Sequence, residues 1–273
     1  MCSTLTVKEF FDLLANARVY DLAQPYFIGM PHYPAHPPFL FSLTKKHGDL
    51  ILDGEVSSAA DAITFGGHVG THIDALCHFS RGGSLFGGLE VRGRQSYGGG
   101  VQVLSVDTIH PIVRRGVLLD VAGYLELEAL PVDFEITASH LEAAAERQKV
   151  AVRHGDVVLL RTGWARFFDD PPRFITGGKG AQPAGPGPGL GAARWLSGRG
   201  ISCAGSDTVA FEKVPSGMPV HVHLLVESGI HIIEMLNLEE LAKDRVYEFL
   251  FIAAPLKIRG GTGSPLRPLA LVG

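Results

Sequence analysis

Between Gly66 and Phe79 the chain reads Gly-Gly-His-Val-Gly-Thr-His-Ile-Asp-Ala-Leu-Cys-His-Phe, and the rest must fold around this stretch. His68, His72, Asp74 and His78 fall within eleven residues, where 12 histidines spread over 273 positions would place roughly half of one. Imidazole nitrogens plus a carboxylate suit a divalent cation of borderline or hard character. On a helix His68 and His72 would share a face, but Asp74 would point away. In an extended chain His68, Gly70, His72 and Asp74 all project to one side. The spacing therefore predicts a strand or extended loop that presents His68, His72 and Asp74 to one ion. Gly70 would leave a gap there for backbone or solvent. If the extension continues, His78 shares that side and sits beside the ion, where a general base or acid is needed. Cys77 has the opposite parity and is no candidate nucleophile.

Composition narrows the class. A chain of 273 residues, 46% of them hydrophobic, can bury one large core, so one domain over 1–273 is expected. The net charge of −4 and the lack of a basic run argue against a nucleic-acid partner. Cys2, Cys77 and Cys203 form no CxxC pair, which fits a reduced, cytoplasmic protein. Neither a signal peptide nor a membrane span is legible, so no membrane partner is expected.

Strand and helix signals interleave along the chain. Thr6 and Glu9 have capping-box spacing and open a predicted helix over about 6–16. A strand follows over 18–23. Four prolines between Gly29 and Pro38 then make a stiff loop carrying His32, Tyr33 and His36. The glycine-dense residues 82–100 suggest a loop rimming the ion site. They lack the strand–Gly-x-Gly-x-x-Gly–helix context of a phosphate cradle. Further strands are expected at 117–121, within 155–164, and at 201–205, 230–234 and 246–254. Helices are expected at 139–150 (Ser139 and Glu142 at capping-box spacing), 190–199 and 221–227. Residues 171–191, with five prolines, read as a long irregular loop, either a lid or disordered. Without a regular βαβ repeat, the class is mixed α and β. Glu234 lies in an otherwise apolar strand, where a lone carboxylate is costly unless paired or bound to a cation.

The run His68-Val-Gly-Thr-His72-Ile-Asp74-Ala-Leu-Cys-His78-Phe79 resembles the signature of a metal-dependent cyclase family that includes bacterial kynurenine formamidase and isatin hydrolase. Leu76 stands where that signature usually has proline. The resemblance runs from about residue 18 to the C-terminus and is most specific at 68–79 and 219–236. It implies a three-layer β/β/α swivelling domain and commonly a homodimer or homotetramer. It places Tyr33 where formamidases have a substrate-contacting tryptophan, and Ser206 and Asp207 near the substrate. It also makes His221 and Glu234 ligands of a second metal. On a helix His223 would point roughly 200° away from His221, so the two cannot face one ion.

The chemistry this implies is hydrolysis of an amide, lactam or lactone of a small, cyclic or aromatic substrate. One or two divalent ions, Zn2+ or Mn2+, would be held by His68, His72, Asp74, His221 and Glu234, with His78 moving the proton. The absence of a Gly-x-Ser-x-Gly elbow argues against a serine hydrolase. A metal-dependent cyclase or lyase acting through an enolate is the alternative enzyme, and a non-catalytic metal protein the alternative class.

Overall fold

The computed structural model describes residues 6–273, so Cys2 lies outside it. Nine strands join in one sheet, in the order Arg18–Asp21, Leu269–Val272, Glu248–Ala253, Ile112–Asp120, Val157–Arg161, Cys203–Ser206, His231–Glu234, His72–Asp74 and Gly263–Pro265. The central run from Ile112–Asp120 to His231–Glu234 is parallel, and the flanking pairs are antiparallel. Buried on both faces, the central strands are continuously apolar, as in Val157-Val158-Leu159-Leu160.

Alternation along these strands divides the interior. Val158, Leu160, Val117 and Leu119 pack against Leu141, Ala192, Ala193 and Leu196 of the helices Ala138–Gln148 and Leu190–Gly198. Val157, Leu159 and Leu118 face the other way. They share a core with Tyr20, Phe251 and Ala270 from one end of the sheet and with Ile73 and Ile233 from the other. The sheet therefore curls until its two ends face each other, and Asn237 N–H donates to the Leu22 carbonyl at the closure. A curled sheet with helices on its outer face is the β/β/α layering that the resemblance implies.

Local predictions hold where a periodic pattern and a cap agree. Val7–Asn16 is helical, with Thr6 and Glu9 forming both bonds of a capping box. Three expectations differ. The second capping box is Thr137 with His140, not Ser139 with Glu142, because an imidazole nitrogen accepts the Thr137 N–H in place of a carboxylate. Residues 171–191 are not irregular throughout: Asp170 caps a helix Pro171–Thr176, whose prolines occupy first-turn positions that need no N–H donor. Residues 82–100 cover the inner core, with Leu85 buried in it and Leu89 and Val91 packed against it, and none of them lines the cavity described below.

Candidate metal centre

The His72–Asp74 strand lies between His231–Glu234 and Gly263–Pro265, and its register sets Glu234 directly opposite His72. Strand alternation turns Ile73 and Ile233 into the core and leaves His72, Asp74 and Glu234 on the helix-facing side. His221 comes down on them from the helix that opens at Pro219. That helix widens to π geometry over Val222–Glu227 before Gly229, at φ 67°, ends it.

The approach to this strand is not extended, and here the parity argument needs correction. Gly70 takes φ 64°, so the chain turns between His68 and His72. The space that a Gly70 side chain would fill is occupied by the Tyr26 ring, 2.7 Å from where a Cβ would lie, and not by solvent. The Gly70 carbonyl instead accepts the His72 Nδ1–H at 2.7 Å, which leaves Nε2 as the free nitrogen. After Asp74 the chain turns again, with His78 N–H donating to the Ala75 carbonyl. The His78 ring nevertheless returns to the cluster and stacks on His68 at 3.9 Å.

All six sequence-derived metal and proton-transfer residues converge. His72 Nε2 lies 3.5 Å from Asp74 and 3.3 Å from Glu234. His221 Nε2 lies 3.2 Å from Glu234 and 3.8 Å from Asp74. His68 Nδ1 is 2.8 Å from Asp74, and its Nε2 is 2.9 Å from the Thr262 hydroxyl. Two ligands about 2.1 Å from one ion lie about 3.4 Å apart in a tetrahedral shell, so the His72, Asp74, Glu234 and His221 spacings fit a coordination polyhedron. His72 Nε2 and Asp74 Oδ2 are buried without a hydrogen-bond partner, which is costly unless something else binds them. These residues therefore fit a divalent cation. Their grouping differs from expectation: His72 reaches Glu234 as well as Asp74, while His68, Asp74 and His78 form a second potential ligand group around the shared aspartate.

The cluster's charges support one another. Burial works to raise the Asp74 and Glu234 carboxyls, but the surrounding imidazoles outweigh it and hold both below their ordinary values. Burial likewise disfavours a charged His221, yet its bonds to Glu212 and Glu234 raise it to about 10. His78 has no such partner: burial, with His68 and His221 nearby, pushes it down to about 3. It is a neutral base at physiological pH.

A cavity of about 300 Å³ opens onto this cluster. Its polar wall is His36, His68, His78, His221 and Glu234, and Tyr33, Phe79, Val209, Ala210 and Met218 supply the rest. Tyr33 thus stands where substrate contact was expected. Ser206 and Asp207 do not. Both are fully buried and neither lines the cavity. Ser206 pairs with the Thr208 hydroxyl. Asp207 accepts backbone N–H groups of Thr162, Gly163 and Trp164 and the Thr162 hydroxyl, fastening two strand ends. The turn that they open delivers Val209 and Ala210 instead. His223 and His231 are also excluded from the cluster: His223 bonds Glu227 and Ser197, and His231 bonds the Asp74 carbonyl on the far side.

Sequence reasoning missed Glu212. It is 1% exposed and accepts both the backbone N–H and Nδ1–H of His221 at 2.8 Å, turning Nε2 toward Asp74 and Glu234. Its only sequence signal is an acid following the apolar Val209-Ala210-Phe211. His36 was visible only as part of the proline loop.

Comparison with known proteins agrees with this geometry. Residues 20–213 match the model of a family described as Putative cyclase. Isatin hydrolase of Roseibium aggregatum is 30% identical over 217 residues, covering 77% of this chain and 73% of its own length. Kynurenine formamidase of Bacillus cereus is 28% identical over 251 residues, covering 90% and 94%. Among solved structures, isatin hydrolase A of Ralstonia solanacearum superposes with a TM-score of 0.75 at 28% identity over 100% of both chains.

Proposed function

The chain belongs to the cyclase family and is a metal-dependent hydrolase acting on carbon–nitrogen bonds, and on that premise we propose a small, cyclic or aromatic amide or lactam as its substrate. The observation that carries the reading is the buried convergence of His72, Asp74, His221 and Glu234, with two orphaned ligand atoms, at the floor of a small cavity. Zn2+ or Mn2+ fits this donor set, one or two per chain. A bound divalent cation supplies Lewis acidity and acidifies water toward neutrality.

The remaining work falls to the chain. Asp74, Glu234 and the imidazoles of His68, His72 and His221 would hold the cation, and Glu212 fixes the His221 tautomer. His78, neutral and without a hydrogen-bond partner among the described residues, takes a proton from the attacking water and delivers it to the leaving nitrogen. Phe79, Met218, Val209 and Ala210 exclude water from the substrate's apolar side, and Tyr33 covers the mouth. The cavity volume admits one small ring system. Among the described residues no helix is long and apolar enough to cross a membrane, and Cys77 and Cys203 are free and buried. A reduced, cytoplasmic protein fits the free cysteines, and a homodimer or homotetramer is proposed on the family resemblance alone.

The test is a panel of lactams, aryl formamides and lactones, run with Mn2+ or Zn2+ and after chelation. Hydrolysis should incorporate one solvent oxygen per turnover and cease on chelation. Product without solvent oxygen would instead indicate an enolate cyclisation.

A further inference from the structure

Three imidazoles of the cluster turn one nitrogen toward the carboxylates and have the other held by the chain. For His72 the held nitrogen is Nδ1, which donates to the Gly70 carbonyl. For His221 it is Nδ1 again, which donates to Glu212. His68 is the reverse case. Its Nδ1 faces Asp74 at 2.8 Å, and its Nε2 lies 2.9 Å from the Thr262 hydroxyl. Nothing in the motif at 68–79 points to Thr262, which lies 194 residues beyond His68.

The fold builds this contact. The strand Gly263–Pro265 pairs antiparallel with His72–Asp74 and sets Gly263 opposite Asp74, so Thr262 enters beside the metal stretch. The Thr262 carbonyl accepts the Ala75 N–H at 2.9 Å, which ties down its backbone. A Cβ on Gly263 would lie 2.5 Å from His68 Cε1, so the imidazole packs on bare backbone there. His78 and His36 stack on the same ring at 3.9 and 4.9 Å, and His68 is buried. A half-turn of the ring would set carbon atoms against both Asp74 and Thr262 and lose both bonds. The Thr262 hydroxyl has no other hydrogen-bond partner among the described residues. A hydroxyl donates and accepts, so it satisfies Nε2 whether or not that nitrogen carries the proton. Valine, of the same shape, could do neither.

Resting on the metal reading of the site, we propose that Thr262 is a positioning residue for His68: it occupies Nε2 and so makes Nδ1 the nitrogen that His68 presents to the cation beside Asp74. In the metal-free protein Nδ1–H donates to Asp74, and the Thr262 O–H donates to Nε2. With a cation bound, the imidazole proton sits on Nε2 and donates to Thr262. One hydroxyl thus serves both tautomers, and loading leaves no buried ring nitrogen unpaired.

The test reads the ring nitrogens directly. Proton–nitrogen NMR correlation spectra of nitrogen-labelled full-length protein are recorded in mildly alkaline buffer, metal-free and with Zn2+. His68 should carry its proton on Nδ1 without metal. With Zn2+ it should carry the proton on Nε2, and Nδ1 should take the shift of a metal-bound nitrogen. Zn2+ affinity is measured alongside by competition with a chelator. Thr262→Val should bind Zn2+ about 10- to 100-fold more weakly, and Thr262→Ser, which keeps the hydroxyl, should recover most of the loss. Zn2+ on His68 Nε2, equal affinity in Thr262→Val and the wild type, or a loss that Thr262→Ser does not recover overturns the proposal. The wild-type spectra decide the nitrogen even if Thr262→Val does not fold. A wild type that takes up no Zn2+ ends the metal reading and this proposal together. No substrate enters the test, so failure of the hydrolase reading alone does not touch it.

Discussion

Replacing Glu212 with glutamine separates two things this carboxylate does for His221. The amide has nearly the same shape and can still accept from the His221 backbone N–H and pair with Ser216, so the fold should persist. What disappears is the negative charge facing Nδ1–H. In the metal-free protein the bond to Glu212 leads the influences that raise His221 to about 10 against burial. A cation must therefore displace a proton from this imidazole. At pH 7 a group with a pKa of about 10 is protonated roughly 1,000-fold over its free form, so proton competition weakens loading by about 4 kcal/mol. Apparent affinity for Mn2+ or Zn2+ should rise about tenfold per pH unit from this group alone across pH 6–9. In Glu212→Gln the His221 pKa falls, its titration enters that window, and the slope flattens. Intrinsic affinity falls about 10- to 100-fold, because the nitrogen is less basic and less firmly oriented. The two effects oppose each other at low pH and diverge at high pH. The ratio of wild-type to variant affinity should therefore grow from pH 6 to pH 9. Competition titrations against a chelator of known affinity measure it at each pH. A ratio constant across the window would refute the reasoning, because Glu212 would then set neither the proton's hold nor its pH range.

Four further outcomes follow from the structure. Because His221 is raised from 6.5 to about 10, its stabilising contribution is fully present below about pH 6.5 and is lost as pH approaches 10. The melting temperature of metal-free protein should thus fall over that range by calorimetry, while that of metal-loaded protein should not follow it. His78→Ala should lower kcat about 10²- to 10⁴-fold with bound metal retained, and loss of metal would make His78 a ligand. Gly70→Ala should destabilise by about 2–4 kcal/mol in chemical denaturation, combining positive φ with a Cβ driven into Tyr26. Gly29→Ala, at φ 88° with nothing within 4 Å, should lose only about 1 kcal/mol.

The clustered His, Asp and Glu side chains were legible because their chemistry is written locally. His72 and Asp74 need only strand alternation to share a face, and Glu234 betrays itself as a lone acid in an apolar strand. The sheet then sets Glu234 opposite His72 by register. The parity argument reached residues that the structure does gather into one cluster, but by a wrong path at both ends. Gly70 turns the chain before His72, and the Ala75–His78 turn bends it after Asp74. His68 and His78 return to the cluster through those turns, which parity cannot describe. Ser206 and Asp207 failed for the opposite reason. A polar triplet at a strand end reads the same whether it faces a ligand or ties a neighbouring strand, and here three backbone N–H groups from 162–164 claim the carboxylate. Glu212 and His36 were out of reach because nothing near them in sequence is their partner. Glu212 meets His221 nine residues on, through the turn that seats Val209 and Ala210. His36 meets His68 only because Pro37 docks on Gly66. Short-range spacing thus encodes what the cation requires. The residues that orient the clustered side chains and line the cavity are set by loop closure, where one glycine or proline contact decides which side chain faces the cavity.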